Sequence, residues 1–234
     1  MWREATALSY NFAIEGRILM LSSVVCRYEH WSEDWFKAWS KRLDYPSDGQ
    51  IHRRIWEFCA IGQALEERGM LRPGKSGICF AAGRKFLPSA FAAFGCDILA
   101  TDRAVTGPWE GQHAASRSDL FYERIVTREE FDKHVTFRHL DMTDLRSIEP
   151  EKYDFLWSSC AFEHLGSLRA GFDFVTNALK LLRRGGIAVH TTEFNLSSNI
   201  SETVGRLCHL PPPRYRKARP SSETAWVRIG AGRF

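Results

Sequence analysis

Between Gly77 and Thr192 the chain alternates short continuous apolar runs with longer stretches whose apolar residues recur every three or four positions. Ile78 to Phe80 is the first such run and reads as a buried parallel strand. Pro88 to Phe94 follows with Leu87, Phe91 and Phe94 on one helical face, and Gly95 stands at a helix end. Cys96 to Thr101 is a second strand, closing on Asp102. Residues 117–134 read as a polar helix, and Val135 to Leu140 as a third strand ending in Asp141-Met142. Tyr153 to Trp157 is a fourth. Gly171 to Leu182 places Phe172, Val175, Leu179 and Leu182 on one stripe, and Ile187 to His190 is a fifth strand ending in Thr191-Thr192-Glu193. Regular alternation of strand and helix predicts an α/β fold, a doubly wound and mostly parallel sheet.

Upstream, residues 52–68 predict a helix with Ile55, Phe58, Cys59, Gly62 and Leu65 along one face. Ser32 reads as the N-cap of an earlier helix, on which Trp31, Trp35 and Trp39 recur every four residues beside Phe36. Those aromatics read as core, with an aromatic wall for a substrate as the sharper alternative. The pattern divides the chain into an N-terminal helical extension (1–74), an α/β core (75–203) and a tail (204–234).

Composition changes the picture mainly at the tail. The 234 residues carry a net charge of +4, yet from Gly205 onward seven Lys/Arg face one acid, Glu223, leaving the body slightly negative. A near-neutral body argues against a nucleic-acid footprint in the core. The tail contains Pro211-Pro212-Pro213, and only Ala225 to Ile229 resembles a strand. It predicts low order, a truncated or frame-shifted end or, second, a basic arm for an acidic partner. Six scattered cysteines without a C-x-x-C imply reduced thiols and a cytoplasmic protein. The run Ile18 to Cys26 is too short and mixed to span a bilayer.

The candidate chemistry clusters at the strand ends. Phe80-Ala81-Ala82-Gly83 is a small-residue turn directly after the first strand, and Asp102 follows about 20 residues on, where nucleoside-binding βαβ units hold ribose hydroxyls. Dinucleotides need G-x-G-x-x-G to seat a pyrophosphate, and that pattern is absent. A ligand without phosphate needs the small turn and the acid only, so the pattern favours S-adenosylmethionine over a nicotinamide cofactor. Asp141 and Met142 offer a second acid and an apolar contact for an adenine. Trp109, Gln112 and His113 lie in a loop past a strand end and read as base or substrate contacts or as plain surface. After the fourth strand come Ser158 and the pair Glu163-His164; His is the usual base near neutral pH.

Gly77–Leu87, Asp102, Asp141, Ser158–His164 and Leu182-Arg183-Arg184-Gly185-Gly186 with His190–Asn195 together resemble the class I S-adenosylmethionine-dependent methyltransferases, over about residues 52–200. The likeness is greatest to a bacterial methyltransferase-like group associated with glycans. It implies a Rossmann-like methyltransferase fold, S-adenosylmethionine as cofactor, and a small-molecule or glycan acceptor. Phe80, Ala81, Gly83, Asp102, Asp141, Met142 and Ser158 would line the cofactor, and His164 and Glu163 would serve catalysis without a metal. Cys79 and Ala81 stand where such families favour glycine, and Lys85 where an acid is expected. Two strands usual at the C-terminal end of the family's sheet have no clear counterpart. A catalytically degenerate binding module is therefore the alternative.

Overall fold

The computed structural model describes residues 21, 23–45, 52–104 and 111–194, and the backbone of three later strands at 202–204, 207–209 and 224–231. Five parallel strands form its centre: β2 (Ser76–Phe80), β3 (Asp97–Asp102), β4 (Val135–His139), β5 (Tyr153–Ser159) and β6 (Leu182–Phe194). An N-terminal strand β1 (Val24–Val25), a hairpin of β7 (Glu202–Val204) and β8 (Leu207–His209), and β9 (Thr224–Ala231) complete the strands among the described residues. The main sheet runs β1-β9-β6-β5-β2-β3-β4. β9 pairs antiparallel with β6 from Ile187–Ala231 to Phe194–Thr224, and β1 pairs antiparallel with β9.

The helices are α1 (Asp34–Arg42), α2 (Arg53–Glu66), α3 (Leu87–Ala93), α4 (Arg128–His134) and α5 (Leu168–Ala178). Alternation along β5 sorts the two faces. Phe155 and Trp157 join the core built with α1 to α4, and Leu156 joins the one built with Phe174 and Ala178 of α5. The helical region before residue 74 thus shares one core with the sheet.

α2 is apolar nearly all round because it is covered on one side by α1 and on the other by the sheet; residues 55–62 are all buried. Gly62 lets Trp39 of α1 lie directly on it: a Cβ there would come within 2.6 Å of the indole ring. Trp39 is fully buried and stacks on Phe94, which bears out its reading as core; Trp31 and Trp35 are only partly covered.

Several predicted boundaries shift. Ser32 lies in a 3-10 turn, Tyr28–Ser32, and its hydroxyl donates to the Glu29 carbonyl; Glu33 takes the N-cap place. The predicted helix over 117–134 is broken into a 3-10 turn, Arg117–Leu120, and α4. Tertiary contacts explain the break: the Tyr122 N–H donates to Ser89 Oγ, and the Tyr122 ring packs on Phe86, drawing the chain out before Thr127 caps α4. α5 starts at Leu168, capped by Ser167, and β6 begins at Leu182, earlier than the apolar run from Ile187. The expectation of missing C-terminal strands is corrected in part. β9 fills an antiparallel place beside β6, and β1, from the opposite end of the chain, pairs on its outer side. Such pairing is non-local, so local pattern carries little sign of it. Residues 1–20, 105–110, 195–200, 210–223 and 232–234 lie outside the described residues, and with them most of the basic tail and Trp109.

Candidate functional site

The carboxyl ends of β2, β3, β5 and β6 converge where the strand order reverses, between β2 and β5. At the first of these ends Ala81 sits at φ +49° and Gly83 at φ +55°. Gly83 is required there twice over: its conformation is left-handed, and a Cβ would meet the Gln112 carbonyl oxygen at 3.1 Å. The turn brings the Gly83 N–H to Asp102 Oδ2 at 2.8 Å.

Asp102 is only 1% exposed. Oδ2 also accepts from Ala114 N–H at 2.9 Å. Oδ1 accepts from Arg103 N–H at 2.8 Å and lies 2.7 Å from His113 Nδ1. The predicted ribose acid thus ties the first turn to the loop before Ala114, and His113 covers its outer oxygen. Lys85 spans the crevice beside it, donating to the Ala81 carbonyl at 3.0 Å and the Ser159 carbonyl at 2.9 Å.

The remaining candidates divide. Phe80 is fully buried and packs edge-on against Phe174, so its side chain faces the α5 core. Met142 lies in that same cluster. Ser158 is buried on the same face, its hydroxyl 2.8 Å from His190 Nδ1, and does not reach the turn after β2. Asp141 is exposed just past β4; its carboxylate accepts from the Thr143 hydroxyl and N–H, and those bonds hold it below the usual carboxylate range. The structure therefore brings together Ala81, Gly83 and Asp102 but sends Phe80, Met142 and Ser158 into the core.

A second, denser group surrounds Glu163. Cys160 follows β5 directly at φ +50°, and a 3-10 turn, Phe162–His164, delivers Glu163 and His164. Glu163 is 2% exposed; Oε1 accepts from the Glu193 N–H at 3.3 Å. Burial, with Glu57 nearby, pushes its carboxyl up to about 7. Burial likewise holds the His164 imidazole below its ordinary value. The Cys160 thiol is pushed up by burial and by Glu163.

Glu57, Arg53 and Glu193 complete the group; the sequence placed Glu193 at the end of the fifth strand but gave Glu57 and Arg53 no site role. Glu57 is fully buried in α2. Its Oε2 accepts from the hydroxyls of Ser159 and Thr191, each at 3.0 Å, and its Oε1 pairs with Arg53 at 3.2 Å. Arg53 also pairs with Glu193, whose Oε1 lies 3.7 Å from Cys160 Sγ. The signal was present: Glu57, with Arg53 four positions before it, interrupts the otherwise apolar run from Ile55 to Gly62, and an acid there is out of place unless it faces a polar partner.

Five parallel strands in the order β6-β5-β2-β3-β4, with an antiparallel strand beside β6, decide the architecture. This is the Rossmann-like fold of class I methyltransferases. No protein-family model matches the chain, and no curated protein matches it. Among solved structures it is similar to an S-adenosylmethionine-dependent methyltransferase from Mesorhizobium loti, with 18% identity over 56% of this chain and 52% of that one, at a TM-score of 0.39. It is also similar to Haemonchus contortus phosphoethanolamine N-methyltransferase 2, solved with S-adenosyl-L-methionine, at 14% identity over 73% and 34% of the two chains and a TM-score of 0.41. A third is the [4+2]-cyclase SpnF, at 15% identity over 70% and 57% and a TM-score of 0.48. The chain spans about half the length of the first of these solved relatives. With every one of these scores below 0.5, the fold rests on the sheet order and not on the likeness. Among the described residues no helix is long and apolar enough to cross a membrane.

Proposed function

We propose that the chain transfers a methyl group from S-adenosylmethionine to a small-molecule acceptor, at the carboxyl ends of β2 to β6. The observation that carries the proposal is the position of Asp102: a carboxylate at the tip of β3, hydrogen-bonded to the small-residue turn after β2 that lacks the glycines a pyrophosphate requires. The residues fit the cofactor in kind. Asp102 would hold the ribose hydroxyls, the Ala81–Gly83 turn would face the methionine part, and Asp141 would accept from the adenine amino group. In the arrangement observed, His113 stands on Asp102 and Lys85 bridges the strand ends, so both contacts would have to open on binding.

The cofactor, when bound, supplies an electrophilic methyl. The chain's own part is to hold the acceptor in line and to take its proton, and positioning supplies much of the rate. His164, delivered by the 3-10 turn after β5, is our choice for that proton, with Glu163 beside it. A glycan acceptor remains one member of the small-molecule class proposed.

Calorimetric titration of the purified chain with S-adenosylmethionine and, separately, with NAD tests the proposal. Micromolar binding of the first alone is expected; no binding by a folded chain, or binding of NAD alone, overturns it. In a chain that turns over, His164→Ala should lower kcat by at least about a hundredfold. The second reading, a module that keeps the fold without turnover, draws on the occupied Asp102 and on Ala81 in place of a glycine. Binding without turnover across an acceptor panel would favour it.

A further inference from the structure

Cys160 Sγ, a Glu163 carboxylate oxygen and a His164 ring nitrogen all lie within 4.8 Å of one another. Three acids around them, Glu57, Glu163 and Glu193, are buried; Arg53 pairs with two of them, and Arg54 and Lys85 also lie near His164. Among the described residues, Glu163 Oε2 and Glu193 Oε2 are buried with no hydrogen-bond partner. A buried carboxylate oxygen without a donor is costly, and Glu163 Oε2 belongs to a residue of that donor set, so a cation held there would satisfy it. The backbone at Cys160 is left-handed without being glycine, a strain that tends to persist where a side chain must be held in one place.

We propose that Cys160, Glu163 and His164 bind one divalent transition cation of the zinc class. A sulfur, a nitrogen and an oxygen suit a borderline ion such as Zn²⁺ or Co²⁺ and do not suit Mg²⁺ or Ca²⁺, which take oxygen ligands. Zinc-ligand bonds of roughly 2.0–2.3 Å in a tetrahedron set neighbouring donors about 3.5 Å apart, so atoms within 4.8 Å of one another need to close by about 1.3 Å at most. Three protein ligands leave a fourth position open, the arrangement of catalytic rather than structural zinc sites. Glu193 orients the set from outside: its N–H donates to Glu163 Oε1 at 3.3 Å, and its carboxylate is paired with Arg53. The inference goes beyond the methyl-transfer reading and does not depend on cofactor binding, but it replaces one part of that reading: a bound cation would take the His164 lone pair, so that His164 would act as ligand and not as proton acceptor, and His164→Ala would lose turnover together with metal.

The test is titration of the chelator-stripped full chain with Co²⁺, followed by competition with Zn²⁺. The expected result is one equivalent bound, with a thiolate-to-cobalt charge-transfer band in the near ultraviolet. Cys160→Ser should lose the band, and His164→Ala should keep a thiolate band while weakening Zn²⁺ binding by more than about tenfold. Cys96→Ser, whose Sγ lies against the Met70 and Arg72 carbonyls at the opposite end of the strands, should change neither. Absence of saturable Co²⁺ and Zn²⁺ binding by the folded chain overturns the proposal, as does a band that survives in folded Cys160→Ser. Should Cys160→Ser not fold, unchanged Zn²⁺ affinity in folded His164→Ala overturns it alone. Binding of S-adenosylmethionine to the stripped chain is read separately, so either reading can fail without the other.

Discussion

Asp102→Asn separates two roles that one carboxylate could serve. The change keeps the shape and removes one acceptor oxygen. If the amide nitrogen replaces Oδ2, it faces the Gly83 and Ala114 N–H groups, whose bonds at 2.8 and 2.9 Å are buried. If it replaces Oδ1, it faces the Arg103 N–H and His113, nearer solvent. The second flip costs less, because His113 can shift tautomer and accept while the Arg103 N–H loses its partner. A hydrogen bond to a charged group contributes roughly 1.5–3 kcal/mol, and here one is lost outright and the other three lose their charge. The expected loss of stability is therefore about 3 kcal/mol in the absence of any ligand. Urea unfolding followed by the fluorescence of the eight tryptophans reads it. With a slope of about 2.5 kcal/mol per molar, the midpoint should fall by about 1 M at unchanged slope. A ligand-free variant within about 0.5 kcal/mol of the parent would refute the reasoning. The four contacts would then contribute nothing to folding, and the carboxylate would be held in reserve for a ligand.

Two further outcomes follow from local geometry. Ala81→Gly should raise stability by about 1 kcal/mol, since φ +49° suits glycine and strains alanine; unfolding under the same conditions checks it, and a loss would show that the Ala81 methyl is worth more than the strain. His30 gives a pH dependence. It is 3% exposed, and its Nδ1 accepts from Trp56 Nε1 at 2.8 Å and from the Arg27 N–H at 3.2 Å. Burial holds its pKa below the ordinary value, opposed by Glu33 and Glu29 and aided by Arg27. The unfolded chain therefore takes up this proton first as pH falls. The His30 contribution to stability is complete above about pH 7 and declines below the unfolded value of about 6.5, by at most about 1.4 kcal/mol per pH unit. Comparing the pH profiles of the parent and His30→Gln checks this, and parallel profiles between pH 7 and 5 would rule it out.

The inner parallel strands were legible because their buried parts are short apolar runs bounded by turn residues, while β4, at the sheet edge, showed only the alternation of Val135 and Phe137 with Thr136 and Arg138. Helix α2 was legible from its stripe, and Asp102 from its distance to the turn after β2. What the pattern could not carry were contacts made across the fold. β9 owes its place to pairing with β6, and β1 owes its own to β9, at separations that no local period encodes. Tyr122 breaks a plausible helix because Ser89 and Phe86 hold it. The candidate site shows the same division. A sequence names its acids one at a time, and Glu163 was named because it precedes a histidine after a strand. Glu57, 106 positions earlier and inside an apolar helix, reads as an interruption of that helix. Only the packing of α2 across β5 and β6 sets it against Ser159 and Thr191, and only then do Glu57 and Glu193, which share Arg53, and Glu163 beside them become a single electrostatic object. A charged residue that violates the apolar face of its own helix is thus the local mark of a non-local site, because burial without a partner would cost more than a marginally stable domain can bear.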